Sequence, residues 1–556
     1  MLKIHRSAWA LTLVSAALQV VIFPLPGLYG LAWVAVAPLL VAILRARVPK
    51  TLQLQLDGRG HARLLPATPW QGFVLGYVCG MLWFAGTCYW IFDTMHRYGG
   101  LPVPVAVLAL ILFCMYVGLY FGMFGLLLAL IAGSEAAGTG ASIRRALAAA
   151  PFLWVAVELA RTRITAFPWE LLGYSQTGNF PLTRIATFIG VYGLSFEIVL
   201  VNSVFAAAFL APREAAKQRR KWLLGAACAA AVILQAGQLL APPPFLTDRT
   251  ALLVQPDIPI LESAMWTKAY FQDTLRDLTA MSLHPGGRKT DGEEPAVEKN
   301  DQHFDLIVWP ESPSPFYTSD PLFRDAVSAL ARQSGTWVLA GSIGITPAMH
   351  SGEGSGGGSS EIYNSAALVN PQGEWVGRYD KVHLVPFGEY LPFPQVFGFA
   401  GGLTKEVGEF QRGASRTPLE AGGERLGMFI CYESIFPDEV RQGPLRGAQV
   451  LVNISNDGWY GDSGAWAQHL QQTQMRAIEN DRWLLAGTNT GMTASVDPYG
   501  RIVAATPRKV RTALAAPYTL ISGTTFYTRH GDWFAYLCAI ISAGTLLKRF
   551  VFPDRE

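Results

Sequence analysis

The stretch Met428–Phe436 reads M-F-I-C-Y-E-S-I-F and sets Cys431 between an apolar run and an acidic neighbour. Of six cysteines, Cys79, Cys88, Cys114, Cys228 and Cys538 fall in long apolar segments; Cys431 alone stands in a region of soluble-domain composition. In an oxidising compartment structural cysteines pair, so an unpaired one there reads as a reactive thiol. The simpler reading is a small buried hydrophobe. A thiol with an unperturbed pKa of about 8.5 needs activation before it can attack a carbonyl. Two groups are suited to that. Glu311, in V-W-P-E-S-P, follows the strand-like run DLIVWP, and Lys381 lies in R-Y-D-K-V-H-L-V-P-F-G-E-Y; each stands at the end of a strand or in a rigid loop. A glutamate can serve as general base to the thiol, and an ammonium can lower the thiol pKa and stabilise an oxyanion. Either alone reads equally well as a solvated surface charge. Cys431 closes the run LGMFI, and Pro437 is placed to open a helix. That predicts a strand-to-helix corner presenting the nucleophile, with N–H groups at the helix start aimed at the oxyanion. His383 and His469 read as structural. No residue cluster has metal-ligand spacing, so neither a metal nor a cofactor is expected.

These residues need strands to hold them. From Thr250 onward short apolar runs appear: 251–255, 305–310, 336–343, 364–370, 426–432, 448–455 and 483–489. Runs of this length suit strands buried on both faces. Helical patterns lie between several of them, notably 320–335, closed by Gly335, and 465–481. Strand–helix alternation predicts an α/β domain over about 248–525. The polar stretch 284–302 and the Gly/Ser-rich stretch 351–361 read as loops.

The rest of the chain reads as membrane. Among 556 residues, 51% are apolar and 15% charged, and the apolar excess lies in the first 245 residues and near the end. A spanning helix needs about 20 apolar residues. Candidates are 8–24, 28–45, 70–92, 102–132, 147–162, 187–211, 222–241 and 531–547; the fourth is long enough to be tilted, or to hold a bend at Gly118 or Gly122. Residues 1–24 read as an uncleaved first span. Lys and Arg concentrate in alternate loops, which predicts both termini inside and residues 248–525 outside. The implied organisation is 1–245, a bundle of about seven spans; 248–525, the catalytic domain; and 526–556, a last span with a short cytoplasmic tail. Trp169 and Tyr174 read as interfacial anchors, and Glu170 as a headgroup contact or a solvated charge. The net charge of +3 and the absence of a basic block argue against nucleic acid.

W-P-E, Y-D-K-V-H-L-V-P-F-G-E and C-Y-E together resemble the Glu-Lys-Cys constellation of the nitrilase, or carbon–nitrogen hydrolase, superfamily. With N-I-S-N-D-G-W-Y-G-D-S (453–463), F-P-W-E-L-L-G-Y-S-Q (167–176) and the flanking spans, the chain resembles the bacterial apolipoprotein N-acyltransferase family. The resemblance implies a nitrilase-like αββα sandwich on the periplasmic side of an eight-span bundle in the inner membrane. It implies an acyl donor that is a phospholipid, typically phosphatidylethanolamine at sn-1, and an acceptor that is the diacylglyceryl-cysteine of an apolipoprotein. A monomer is expected. Glu311 then corresponds to the base, Lys381 to the lysine and Cys431 to the nucleophile. Glu389, Tyr432, Glu433, Trp266, Asn456 and Trp459 match supporting or substrate-binding positions. Asp257 stands where asparagine is common, and the spacing from there to Trp266 is longer. The scheme is ping-pong through a thioester. The aromatic stretches 390–399 and 455–461 then read as lids that keep water from it, or as ordinary loop packing. A membrane-tethered amidase would use the same triad, and a transporter or lipid-binding scaffold with an inactive domain is the reading from another class.

Overall fold

Side chains alternate across a strand, so each apolar run must find cover on both faces. The computed structural model shows how. It describes residues 3–48, 64–133, 140–210, 217–240, 242–260, 265–285, 303–311, 315–346, 360–392, 395 and 410–551. The stretches 284–302, 351–361 and 390–399 lie largely outside the described residues. The chain divides into two units. One comprises residues 1–92, 103–242 and 530–556, the other residues 93–102 and 243–529.

Among the described residues the second unit holds twelve strands: β1 Arg249–Gln255, β2 Leu306–Val308, β3 Trp337–Thr346, β4 Glu361–Val369, β5 Trp375–Asp380, β6 Leu419–Ala421, β7 Glu424–Ile430, β8 Val450–Ser455, β9 Leu484–Thr488, β10 Ala494–Val496, β11 Ile502–Ala505 and β12 Thr512–Tyr518. They form two six-stranded sheets, ordered β12-β1-β2-β3-β4-β5 and β11-β10-β9-β8-β7-β6. All seven expected runs are strands. The other five are alanine-rich, interrupted by polar residues, or only three to four residues long, and lack the apolar signal. Leu253, Val308 and Leu339 of the first sheet share one core with Met428, Ile430, Val452 and Leu485 of the second. Leu252, Val254 and Ile307 point the other way, onto helices Lys268–Leu283 and Pro321–Ser334. On the far face of the second sheet, Phe429, Leu451 and Leu484 meet Ala477 of helix Ala465–Asn480. The layers are therefore α, β, β, α. Helix Pro321–Ser334 ends at Gly335 in the left-handed conformation (φ 63°), as its sequence predicts. β1, β2 and β3 run parallel, as do β7, β8 and β9. In parallel sheets, ligand sites gather at the carboxyl ends of strands. Glu311 follows β2, Lys381 follows β5, Cys431 follows β7 and Asn456 follows β8.

The first unit is helical, and a helix falls on each of the eight apolar stretches. Val103–Ala132 and Ala186–Leu210 are long and apolar enough to cross a membrane. The broken pair Pro69–Thr87 and Trp90–Tyr98 makes a third if it counts as one span. Thr68 and Gln71 open helix Pro69–Thr87 with a reciprocal capping box.

Two expectations fail in this unit. Trp169, Glu170 and Tyr174 are at most 1% exposed, so they are neither interfacial anchors nor a solvated charge. Their loop folds inward because buried charges on helix Gly140–Thr165 need partners. Arg161 donates to the carbonyls of Phe167 (2.9 Å) and Trp169 (2.6 Å), and Glu158 accepts from Leu172 N (2.8 Å) and Trp154 Nε1 (3.0 Å).

The second failure concerns the glycines of Val103–Ala132, which lies in one unbroken helix. Their use is close approach. A Cβ at Gly76 would sit 2.1 Å from the Phe121 carbonyl oxygen, and one at Gly125 would sit 2.1 Å from that of Gly72. Small residues let apolar helices touch backbone to backbone. Gly76→Ala is therefore expected to cost about 1–3 kcal/mol, read as a lower thermal midpoint of the detergent-solubilised protein. An unchanged midpoint would show that this crossing carries no stability.

Candidate active site

Cys431 begins where β7 stops. The strand ends at Ile430, and the chain turns through a five-residue 3-10 segment, Cys431–Ile435. The next helix, Pro437–Val440, has only four residues. Pro437 does open a helix, as its sequence predicts, but a short one, and the corner at Cys431 itself is the 3-10 turn. Cys431 adopts φ 48°, in the left-handed region that L-residues rarely occupy. Such strain persists only where surroundings over-determine it.

Glu433 supplies much of that constraint. One carboxylate oxygen accepts from Ile430 N (2.7 Å), the residue before the cysteine. The other accepts from Val382 N (2.9 Å) and His383 N (3.0 Å), the residues after Lys381. Tyr379 Oη donates to both oxygens, at 2.9 and 3.1 Å, and Arg416 Nη2 stands 3.5 Å away. Fully buried, Glu433 ties the lysine loop to the cysteine turn.

Lys381 is 1% exposed. Its ammonium lies 2.9 Å from Glu389 Oε1 and 3.4 Å from Glu311 Oε1. Asn364 Nδ2 donates to the same two oxygens, at 2.7 Å each. The remaining oxygens are also held: Glu311 Oε2 by Asn456 N (2.8 Å) and Glu389 Oε2 by Val385 N (2.8 Å). Burial works against the lysine charge, but Glu389 and Glu311 outweigh it and hold the ammonium above its ordinary pKa.

For Cys431 the balance falls the other way. Burial, followed by the Glu311 carboxylate, pushes the thiol well above its ordinary pKa, and the opposing pull of Lys381 is smaller. Lys381 does pull the thiol pKa down, as expected, but burial and Glu311 outweigh it, so the balance favours the protonated thiol.

The structure brings Glu311, Lys381, Glu389, Cys431, Glu433 and the backbone of Asn456 into one buried cluster. Tyr432, also buried, packs its ring on Phe436. Trp459 is half-buried; its carbonyl accepts from Thr94 Oγ1 (3.1 Å) and its ring meets Tyr98 edge-on. The segment Asp93–Pro102 therefore belongs with this unit, although the sequence places it in a loop between spans. Within residues 455–461, Ser455 donates to Asp457 and Asp457 faces His469. Trp266 is not brought to the cluster. Among the described residues its ring contact is with Tyr270. The sequence did not reveal Asn364, Tyr379 or Asp457. Each is a polar residue in or beside an apolar strand, and only strand register sets Asn364 beside Lys381. Among the described residues no group of His, Cys, Asp or Glu is arranged to hold a metal ion.

Comparison with known proteins accords with this geometry. The carbon–nitrogen hydrolase family profile matches residues 255–520, and the profile of the apolipoprotein N-acyltransferase N-terminal domain matches residues 15–204. An apolipoprotein N-acyltransferase of Geobacter metallireducens is 35% identical over 540 residues, covering 96% of this chain and 94% of its own. That of Methylococcus capsulatus is 34% identical over 483 residues, covering 85% and 87%. The solved carbon–nitrogen hydrolase of Helicobacter pylori G27 overlaps at 17% identity with a TM-score of 0.33, covering 55% of this chain and 95% of that one, a likeness too slight to add to the assignment. Two profiles in the order expected, and relatives aligned over nearly the whole length, agree: the chain belongs to the apolipoprotein N-acyltransferase family.

Proposed function

We propose that this protein transfers a fatty acyl chain from a phospholipid to the α-amino group of the diacylglyceryl-cysteine of an apolipoprotein, through a thioester on Cys431. The observation that carries the reading is the buried carboxylate–ammonium–carboxylate cluster beside a cysteine held in a strained backbone turn. In the first half-reaction Glu311 takes the thiol proton as sulfur attacks the ester carbonyl. The oxyanion that forms faces the Lys381 ammonium, a contribution of about 3–4 kcal/mol for a well-placed donor. Collapse breaks the carbon–oxygen bond. The glycerol oxygen leaves with the proton held on Glu311, giving lysophospholipid and the acyl-thioester. In the second half-reaction the acceptor amine attacks the thioester. Its proton passes to Glu311 and from there to the departing Cys431 sulfur, so the enzyme returns to its starting state with an amide formed.

Glu389 and Asn364 act through the two groups they touch, fixing the ammonium and the base. The reading places the protein in a bacterial inner membrane with eight spans, both termini cytoplasmic and residues 248–525 periplasmic. The loop charges and the helices on all eight stretches support it. It acts as a monomer, without metal or cofactor.

Incubation of the purified full chain with phosphatidylethanolamine is expected to add one fatty acyl mass. Hydroxylamine should remove the adduct, and Cys431→Ala should not form it. An adduct that persists in Cys431→Ala would overturn the scheme, as would release of ammonia from small amides with no acyl transfer. The thiol's raised pKa gives a second expectation. Labelling of the Cys431 peptide by iodoacetamide should still be accelerating from about pH 7 to about pH 9, and Lys381→Met should slow it further by removing a cation that favours the thiolate. A rate already level at neutral pH would mean a standing thiolate.

A further inference from the structure

His469, on helix Ala465–Asn480, is 2% exposed and both its ring nitrogens face oxygens. Nε2 lies 3.1 Å from the Cys431 carbonyl oxygen and 2.8 Å from Ser434 Oγ. Nδ1 lies 3.2 Å from Asp457 Oδ1. The Cys431 carbonyl and an ionised carboxylate can only accept, so satisfying both requires a proton on each nitrogen. We propose that His469 is a positioning residue for the nucleophile: as an imidazolium paired with Asp457, it donates Nε2–H to the Cys431 carbonyl and holds the cysteine in its left-handed turn. This rests on Cys431 being the nucleophile, and it deepens that reading.

The geometry gives the histidine a task the triad cannot perform. Glu433 fixes the peptide N–H before the cysteine, at Ile430. His469 fixes the carbonyl after it, so the strained residue is pinned from both sides. Asp457 is itself held by Ser455 Oγ at 2.5 Å. A neutral imidazole would have to give up one of its two contacts. Either the Cys431 carbonyl loses its donor, or a lone pair faces the Asp457 carboxylate.

The groups facing the ring come from several elements. Cys431 and Ser434 lie on the turn after β7, Asp457 and Tyr460 on the turn after β8, and Glu311 follows β2. On its own helix, Arg476 is paired with Glu479 at 3.0 Å. Burial opposes the imidazolium charge, but Asp457, the Cys431 carbonyl and Glu311 outweigh it and raise the pKa above the ordinary value. The sign follows: the bond is fully present below about pH 6.5 and is lost as pH rises through the raised folded-state value. Lys381 keeps its proton over that range, so it does not produce the same decline.

The test is the rate of hydroxylamine-labile adduct formation by the full chain in detergent, at saturating phosphatidylethanolamine, across pH. The wild-type rate is expected to fall on the alkaline side. His469→Ala should form adduct on the order of 100-fold more slowly, the scale of a misplaced reacting group, with little change in the phospholipid concentration needed for half-saturation. His469→Gln keeps an N–H for the Cys431 carbonyl without a titrating charge. It should recover part of the rate and lose the alkaline decline. A wild-type rate in His469→Ala, or a wild-type alkaline decline in His469→Gln, would overturn the proposal. If the alanine variant does not fold, the glutamine pH profile alone decides. Cys431→Ala is run alongside: adduct there would strike at the nucleophile itself, whereas unaltered histidine variants with a silent Cys431→Ala strike only at the role of His469.

Discussion

One ammonium between two carboxylates, sealed from water, is the contact on which the catalytic unit depends. A buried charge pair is costly to desolvate, and it survives only where further hydrogen bonds satisfy what remains. Here they do. Asn364 bridges the same two oxygens that Lys381 binds, and backbone N–H groups of Asn456 and Val385 take the other two. The cluster draws on the ends of β2, β5 and β8 and on the start of β4. Its geometry is therefore inherited from the sheets and not from any one loop, as a preorganised site requires.

Electrostatics inside such a site need not make the nucleophile reactive at rest. Lys381 favours the thiolate, but burial and the Glu311 charge outweigh it. Under the proposed reaction, the anion then forms as the acyl carbonyl arrives to receive it. Strain complements this. The backbone at Cys431 is held in an unfavourable region by a carboxylate on one side and an imidazole on the other.

Much of this was legible in the sequence. Glu311 and Cys431 stand out because each follows an apolar run that becomes a parallel strand, whereas Lys381 follows β5, an antiparallel edge strand, and stands out by its motif alone. Helices at 321–334 and 465–480 were equally plain, one of them by its glycine cap. What escaped depends on register and depth. Asn364 looks like an ordinary strand residue until pairing sets it beside Lys381. Trp169, Glu170 and Tyr174 have the composition of an interfacial loop, yet Arg161 and Glu158 draw that loop inward for its backbone groups. The glycines of Val103–Ala132 suggested a bend because sequence alone cannot say which helix lies opposite. Five strands escaped because short or alanine-rich segments become strands only by pairing with neighbours already formed.

The division of the chain has a practical consequence for anyone who would cut it. Residues 93–102 are built into the unit formed by 243–529, so the polypeptide passes between the two units at 92/93, 102/103, 242/243 and 529/530, four times in all. A gene fragment beginning at Pro243 would encode both sheets with Glu311, Lys381 and Cys431. It would leave Trp459 without the Thr94 hydroxyl and the Tyr98 ring that cover it. The hydrolase-like half of this enzyme is therefore not a cassette that can be lifted out whole, and a soluble version would need that ten-residue piece grafted back or its exposed tryptophan replaced.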